Sequence, residues 1–155
     1  MADVNSAQYE AFANPVREKV KTAELGGRVR VAYAQVADVS GVGSAGDKLN
    51  LTWLPKGATV LDAFIQTDGA LGGTATDEDV GFPSAVDALF DGEDLSSATT
   101  ANYSPGFGDL GKEVWELAGY SSKKDAPANV PVVLEASTSY GNSNGFEIEI
   151  GYVQD

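Results

Sequence analysis

Residues 46–67 read GDKLNLTWLPKGATVLDAFIQT, and this stretch decides the fold. Its first part alternates apolar and polar side chains, the pattern of a strand with one buried face. The alternating residues are Leu49, Leu51 and Trp53 against Lys48, Asn50 and Thr52. Pro55 and Gly57 then predict a turn, because proline presets φ and glycine accepts positive φ. The chain is therefore expected to reverse or corner directly after this strand.

A second strand is predicted from Thr59 to Thr67. In this pattern Leu61, Ala63 and Ile65 share one face, while Val60 and Phe64 lie on the other. Both faces are partly apolar, as expected for a strand inside a two-layer β structure.

Further strands are predicted on both sides of this stretch. Apolar patterns place them at residues 28–40, 79–82, 113–117, 130–137 and 146–152. Residues 84–90 are predicted to form one or two helical turns, and Pro83 ends the strand before them. Residues 95–109 form a long loop rich in Ser, Thr, Asn and Gly, and loops of this length are often functional.

These patterns predict an all-β fold. About seven short strands with Pro and Gly corners and almost no helix are typical of an antiparallel β-sandwich or jelly-roll-like domain. The chain length fits one such domain over residues 28–155, preceded by an N-terminal arm over residues 1–27. The predicted core consists of Leu49, Leu51, Trp53, Leu61, Ile65, Trp115, Leu134, Ile148 and Ile150.

Residues 1–27 differ from the rest of the chain in charge and in sequence pattern. Asn14 followed by Pro15 suits a helix start, yet residues 16–22 also alternate as a strand does, so a short helix and an extended arm both stay open. Gly26 and Gly27 provide a hinge before the sandwich. The arm either folds back on its own domain or packs on a neighbouring subunit, and we favour the second. Its predicted partner-binding residues are the apolar Tyr9, Phe12, Val16 and Val20 and the basic Arg17, Lys19 and Lys21.

The chain is strongly acidic, with a formal net charge of −13 at pH 7. Residues 1–30 carry four acidic and five basic side chains, so the remaining 125 residues carry a net charge of −14. A body of this charge repels phosphate backbones, which argues against nucleic-acid binding. The negative charge either only keeps the protein soluble, or it marks an acidic outer surface, with a less acidic end that attaches to a partner.

The composition argues against an enzyme. The chain has no cysteine and no histidine, which removes disulfides, thiolate metal sites and the usual general base. Acidic clusters at residues 77–79 and 91–94, and the pair Glu147 and Glu149, could serve glycoside hydrolysis or hold Ca²⁺, but solvated carboxylates are the favoured interpretation. No catalytic residue, cofactor or metal ligand is predicted. Trp53 and Trp115 are interpreted as core residues, not as sugar-binding platforms.

The sequence also lacks membrane signals. No apolar run approaches the ~20 residues of a membrane-spanning helix, and the first residues lack the apolar segment of a signal peptide. We therefore expect a chain that is made in a cytoplasm and binds no membrane.

Two segments carry a family resemblance: LPKGATVLDAFIQTDGALGG at residues 54–73 and IEIGYV at residues 148–153. Together they resemble small virion structural proteins of tailed bacteriophages. In those proteins a Leu-Pro-x-Gly-x-x-Val-Leu-Asp segment follows the second strand of a jelly-roll-like sandwich. The matching residues here are Leu54, Pro55, Gly57, Val60, Leu61 and Asp62, with residues 145–153 at the end. Residues 1–27 and 91–109 have no counterpart in the resemblance.

The resemblance implies a role in the virion. The protein would be a capsid decoration or cement protein on the capsid surface, made in the host cytoplasm, homo-oligomeric and bound to the major capsid protein. The arm and the long loop, through Tyr103 and Phe107, would make the contacts. The alternatives are another virion component, such as a head fibre base or tail protein, and a carbohydrate-binding β-sandwich module. Such a module would use the loop aromatics Tyr103, Phe107, Tyr120 and Tyr140.

Overall fold

The computed structural model describes residues 28–40, 44–72 and 75–154. Over these ranges the chain forms eight strands and one short helix. They are β1 (Val29–Val36), β2 (Lys48–Pro55), β3 (Ala58–Thr67), β4 (Glu78–Phe82), β5 (Ala85–Glu93), β6 (Thr100–Tyr103), α1 (Val114–Leu117), β7 (Asn129–Glu135) and β8 (Phe146–Gln154). The predicted arm, residues 1–27, lies outside the described residues.

The strands form two four-stranded sheets that pack face to face. Sheet A has the order β1-β8-β3-β6, and sheet B has the order β2-β7-β4-β5. All pairs are antiparallel. The pairs β1 with β8, β2 with β7, β3 with β6 and β4 with β5 nest inside one another along the chain. The predicted all-β sandwich is confirmed, and the predicted loop at residues 95–109 contains the short strand β6.

The core lies between the two sheets, and β8 runs through the middle of sheet A. Phe146, Ile148 and Ile150 alternate along β8 and are fully buried, because β1 and β3 flank this strand on both sides. Ile65 and Leu134 are also fully buried, as predicted. The predicted core residues Leu49 and Leu51 are partly buried and pack against the core from β2.

A β-bulge in β2 corrects the prediction for Trp53. The register against β7 shifts between Asn50 and Thr52, so Leu51 is the extra residue. A bulge reverses the inward and outward alternation after it. Leu54 is therefore fully buried, whereas Trp53 is 62% exposed on the outer face of sheet B.

A second bulge, in β3, corrects the prediction for Leu61. The register against β8 shifts between Val60 and Asp62, which makes Leu61 the extra residue. Val60 before the bulge and Ala63 after it both point into the core, while Leu61 is exposed. Val60 and Leu61 thus exchange the places that strict alternation predicts.

The helical turns predicted at residues 84–90 are wrong, because this segment is part of β5. Pro83 ends β4 as predicted, and a turn at Pro83 and Ser84 leads straight into a hairpin with β5. Phe90 lies opposite Val80 in this hairpin, and both are buried. Tertiary pairing therefore overrides the local preference of an alanine-containing segment.

The strand predicted at residues 113–117 is also wrong, because these residues form α1. The carboxylate of Glu116 accepts a hydrogen bond at 2.9 Å from the backbone N–H of Glu113, one half of a capping box. Trp115 is half-buried instead of lying in the core, and its indole Nε1 donates to the Glu113 carboxylate at 2.7 Å. Gly119 ends the helix with a φ of 75°.

Candidate interaction surface

Glu78 is the one carboxylate of the described core that is fully buried, and it serves the fold. It accepts hydrogen bonds from the backbone N–H of Ser137 at 2.9 Å, from the Ser137 hydroxyl at 2.6 Å and from the Tyr140 hydroxyl. Burial, and then the hydrogen bond and charge of Glu78, raise the pKa of Tyr140 well above its usual value. This network ties the start of β4 to the segment between β7 and β8.

The acidic clusters predicted as possible calcium or catalytic groups make local turn contacts. Asp79 accepts a hydrogen bond from the backbone N–H of Gly92 at 3.0 Å. Asp94 accepts from the hydroxyl and the backbone N–H of Ser96, and these bonds lower the pKa of Asp94. Within the described ranges, no three His, Cys, Asp or Glu side chains come together as metal ligands would.

The outer face of sheet A, which we call the A face, exposes a row of large apolar side chains. Val29, Val31 and Tyr33 project outward from β1, and Val29 is 64% exposed. Beyond them the face continues over Gly151 on β8 and Phe64 on β3 to form a shallow depression. Contiguous exposed apolar side chains of this kind often mark interaction surfaces.

The sequence contains a signal for this row in the alternation of β1. Val29, Val31 and Tyr33 alternate with Arg30, Ala32 and Ala34. The side of β1 that faces the core carries Ala34, which is buried, and Ala32 and Val36, which pack against the core. A strand that puts its small residues inward and its large apolar residues outward needs a partner for its outer side.

Carboxylates border the A face. Asp62, Glu147 and Glu149 lie on this side of the sheet, and Glu147 accepts a hydrogen bond from Gln35 at 2.6 Å. Gly151 makes room for Asp62, because a Cβ atom at Gly151 would collide with the Asp62 carboxylate. Desolvation, and then Glu147 and Glu149, raise the pKa of Tyr33. The A face thus combines an apolar row with negative charge.

A second exposed apolar feature is the loop from Ser104 to Lys112, which we call the Phe107 loop. Phe107 is fully exposed and Leu110 is 75% exposed. The backbone carbonyl of Gly106 accepts hydrogen bonds from Asp109 and Leu110, and Lys112 pairs with Asp109 at 2.7 Å. The loop holds two apolar side chains in solvent on an ordered turn, which lowers the entropy cost of binding.

The Phe107 loop lies at the edge of sheet A. It starts after Tyr103, which pairs with Ala63 of β3, and leads to Glu113, which forms a bridge with Thr59. The loop therefore runs along the part of β3 that contains the bulged and exposed Leu61. The two apolar features belong to the same sheet.

The structure separates the two predicted loop contacts, Tyr103 and Phe107. Tyr103 is half-buried, and its ring packs on Phe90 with 6.0 Å between ring centroids. Its buried hydroxyl has no hydrogen-bond partner among the described residues, and burial, then Asp109, raises the pKa of this phenol. Phe107 alone presents its whole side chain to a partner. The predicted arm contacts Tyr9, Phe12, Val16, Arg17, Lys19, Val20 and Lys21 lie outside the described residues.

The loop aromatics considered for sugar binding are mostly covered. Tyr140 is buried on Glu78, and Tyr120 and Tyr103 are half-buried. Trp53, interpreted from sequence as core, is the more exposed tryptophan, and it lies on edge strand β2 of sheet B. No helix within the described part of the chain has the length and apolar character to span a membrane.

Comparison with known proteins supports the fold. No protein-family model matches the chain, and no curated protein sequence matches it. Among solved structures, a chain of the cyanophage Pam1 capsid asymmetric unit aligns over 100% of both chains, with a TM-score of 0.64 and 20% identity. A chain of the capsid of Ralstonia phage GP4 aligns over 83% of this chain and 86% of its own length, with a TM-score of 0.59 and 17% identity. At these identities the likeness shows a shared fold.

Proposed function

We propose that the protein is a bacteriophage virion structural protein, and specifically a capsid decoration or cement protein that binds the lattice of the major capsid protein. The observation that carries this proposal is the full-length likeness to a chain of the Pam1 capsid asymmetric unit. That alignment covers 100% of both chains, so the two chains have comparable lengths and a shared fold. The likeness to a chain of the GP4 capsid also supports the proposal that this chain is part of a phage virion.

The surface suits a protein that attaches to a preformed lattice. The sandwich has its own core from Ala34 to Ile150, so it needs no partner to bury its interior. Among the described residues, five of the seven exposed large apolar side chains lie on the A face and the Phe107 loop; Leu61 lies beside that loop, and Trp53 lies on sheet B. A self-contained domain with a localised apolar surface fits addition to a shell better than construction of the shell itself.

The Phe107 loop is the anchor in this proposal. Burying Phe107 and Leu110 in a partner's pocket would contribute about 1.5–3 kcal/mol each before binding costs are subtracted. The ordered turn beneath them reduces those costs. Single contacts of this strength become stable attachment when many copies, or the subunits of a homo-oligomer, bind one lattice.

The remaining parts of the proposal follow from charge and composition. Apart from the A face and the Phe107 loop, residues 31–155, with a net charge of −14, face outward on the capsid surface, and they do not bind nucleic acid. Residues 1–27 bring further apolar and basic contacts from Tyr9, Phe12, Arg17 and their neighbours. No turnover chemistry is part of this function, because cysteine and histidine are absent from the sequence.

The direct test is co-sedimentation with capsids that lack the protein. We expect the purified protein to bind such capsids saturably. The double substitution F107A/L110A should weaken binding at least tenfold, because two well-exposed anchors are lost. W53A is the matched control, since it removes a large apolar side chain that is 62% exposed on sheet B, away from the Phe107 loop. If the native protein stays in the supernatant at saturating concentration, the proposed function is wrong.

One observation favours a second candidate function. Trp53 is 62% exposed on a sheet face, where an aromatic ring can stack on a sugar. A carbohydrate-binding module would bind glycans on an array and lose that binding in W53A. The capsid proposal expects no effect of W53A on capsid binding, so this variant separates the two functions. Another virion role, such as a head fibre base or tail protein, would show binding to tails or fibres instead of capsid shells.

A further inference from the structure

The apolar row of the A face is left in solvent by the described part of the chain. Val29, Val31 and Tyr33 are between 51% and 64% exposed. A partner that covered them would gain roughly 25 cal/mol for each Å² of apolar area removed from water. The row is therefore a candidate docking surface, and the charges beside it indicate what would bind there.

The register of sheet A places a carboxylate between two aromatic side chains. Tyr33 on β1 lies opposite Glu149 on β8, and Glu149 lies opposite Phe64 on β3. All three are on the outer side of the sheet, because their neighbours Ile148 and Ile150 point into the core. Aromatic faces attract cations, so a cation bound to Glu149 would have favourable neighbours on both sides.

Two residues further along β8, the A face is hollow. Val31 lies opposite Gly151, and Gly151 lies opposite Asp62. Gly151 has no side chain, and the Asp62 carboxylate lies over it, where a Cβ atom would collide with Oδ1. The resulting depression of about 400 Å³ has both apolar and acidic walls. It can receive a side chain that has an apolar stem and a positively charged head.

No basic side chain in the described ranges neutralises these carboxylates. The ion pairs there are Lys48 with Glu135, Lys112 with Asp109 and Lys123 with Glu113. None of them includes a carboxylate of the A face, so Asp62 and Glu149 keep their charge available for a partner.

Charge then restricts the kind of partner. A second copy that presented the same face would bring Asp62, Glu147 and Glu149 close to their equivalents, and like charges disfavour an interface. A basic partner forms ion pairs instead. Arginine fits this face best, because a guanidinium binds a carboxylate through two hydrogen bonds and stacks on aromatic rings.

We propose that the A face docks on a surface of the capsid lattice that presents arginine or lysine side chains within an apolar patch. The apolar row contributes burial, while Asp62 and Glu149 favour a basic surface over an acidic one. This inference rests on the proposed function for the identity of the partner, and it adds the chemistry of the partner's surface. The Phe107 loop borders the same sheet, so one footprint includes both features.

Capsid co-sedimentation with two charge-matched variants tests the proposal. D62N/E149Q removes two negative charges from the A face and nearly keeps the side-chain shapes. D87N/D91N is the control for net charge, because it removes two negative charges from exposed positions of β5 in sheet B. We expect D62N/E149Q to weaken binding to capsids that lack the protein about tenfold, and D87N/D91N to weaken it less than about twofold.

The salt dependence of binding separates the ionic contribution from the apolar one. Binding of the native protein should weaken as NaCl rises from about 50 mM to about 500 mM, because salt screens exposed charge pairs. The dependence should be shallower in D62N/E149Q and unchanged in F107A/L110A. V29S/V31S should weaken binding without changing the salt dependence, and its melting temperature shows whether it is folded.

The failure of this inference differs from the failure of the proposed function. If D62N/E149Q binds capsids as well as D87N/D91N and with the same salt dependence, while F107A/L110A is weakened, the A face does not dock on a basic surface and the proposed function stands. If the native protein stays in the supernatant, the proposed function is wrong and this inference is wrong with it.

Two measurements on the free protein detect other occupants of the A face. A loss of oligomer mass in D62N/E149Q but not in D87N/D91N, by analytical ultracentrifugation, would mean that a second copy covers the face. Faster trypsin cleavage after Lys19 and Lys21 in D62N/E149Q than in D87N/D91N would mean that the chain's own N-terminal segment covers it. Either result would overturn the proposal.

Discussion

Among the glycines that the structure describes, Gly81 has the closest backbone neighbours. A Cβ atom at this position would lie 2.5 Å from the carbonyl oxygen of Val86, and it would also collide with the carbonyl oxygen of Ala85. Both neighbours are backbone atoms of β5, so the hairpin must separate to make room. We expect Gly81→Ala to lower the free energy of unfolding by about 1–3 kcal/mol, measured by urea denaturation.

Gly108 provides the control for this substitution. It lies in the Phe107 loop, and a Cβ atom there would meet nothing within 4 Å. Gly108→Ala should therefore change the free energy of unfolding by less than about 0.5 kcal/mol. Equal effects of the two substitutions would mean that the close approach of β4 and β5 at Gly81 is not as described.

Tyr140 gives stability a specific pH dependence. Its folded pKa lies above the ordinary value of 10.0, because burial and Glu78 favour the protonated phenol. For a raised pKa the contribution to stability is complete below pH 10 and is lost as the pH rises above it, since the unfolded chain then releases the proton. We expect Tyr140→Phe to cost about 1–3 kcal/mol at pH 7 through the lost hydrogen bond to a carboxylate.

The test compares the two proteins by urea unfolding at several pH values. The difference in unfolding free energy between native and Y140F protein should shrink between pH 10 and pH 12. Other tyrosines and lysines titrate in both proteins, so their effects cancel in the difference. A difference that stays constant through this range would contradict the raised pKa of Tyr140.

At the scale of elements, the bulge in β2 decides which side chains build the core. It turns Leu54 inward and Trp53 outward. Leu54→Ala should lower the free energy of unfolding by about 2–5 kcal/mol, because the leucine is fully buried. Trp53→Ala should cost less than about 1 kcal/mol, even though it removes the larger side chain. If Trp53→Ala costs more than Leu54→Ala in thermal or urea unfolding, Trp53 lies in the core, as strict alternation predicts, and the bulge is contradicted.

The same bulges separate what sequence patterns can predict, the positions of strands, from what they cannot, the extra residues within a strand. Six of the seven strand segments that the patterns predicted are strands close to the expected bounds, since alternation and Pro or Gly turns are local signals. An extra residue opposite one partner residue depends on the neighbouring strand, and local alternation cannot show it. This is why Trp53 and Leu61 were placed in the core while Leu54 and Val60 were not.

The helix and strand errors have a related cause. Residues 113–117 carry Glu113 and Glu116 at the spacing of a capping box, a signal that the apolar alternation of Val114, Trp115 and Leu117 obscured. Residues 84–90 lack a clear period, so their pairing with β4 decides their state. Short segments with mixed signals take the structure that the rest of the fold imposes.

At the scale of the whole molecule, the arm and the sandwich should be separable. The buried core runs from Ala34 to Ile150, so none of it depends on residues 1–24. We expect a chain that lacks residues 1–24 to keep its far-ultraviolet circular dichroism and melt only a few degrees lower. Its binding to capsids should weaken, because the arm's apolar and basic contacts are gone.

A deletion of residues 1–13 is the control for this experiment. It removes Tyr9 and Phe12 but keeps residues 14–27 in the chain. This shorter deletion should melt like the native protein and lose only part of the capsid binding. Should removal of residues 1–24 unfold the sandwich, the arm belongs to the core and is no attachment device.

The interaction surface was predictable in part. The exposed position of Phe107 was expected from a glycine-rich loop, whereas the A face was not expected at all. Val29, Val31 and Tyr33 have the pattern of an inward row, and their outward position depends on the register with β8. A sequence pattern identifies a row of alternating apolar residues. Whether that row faces the core or solvent is seen only in the assembled sheets.

The protein composition of purified virions tests most directly whether this chain is a structural component of the capsid. Virions that encode this chain can be banded in a density gradient, and the chain and the major capsid protein can be quantified by mass spectrometry. We predict a fixed ratio between the two proteins that is reproducible between preparations, because a lattice offers a set number of sites. Absence of the chain from banded virions, or trace amounts that vary between preparations, would contradict a structural role in the capsid.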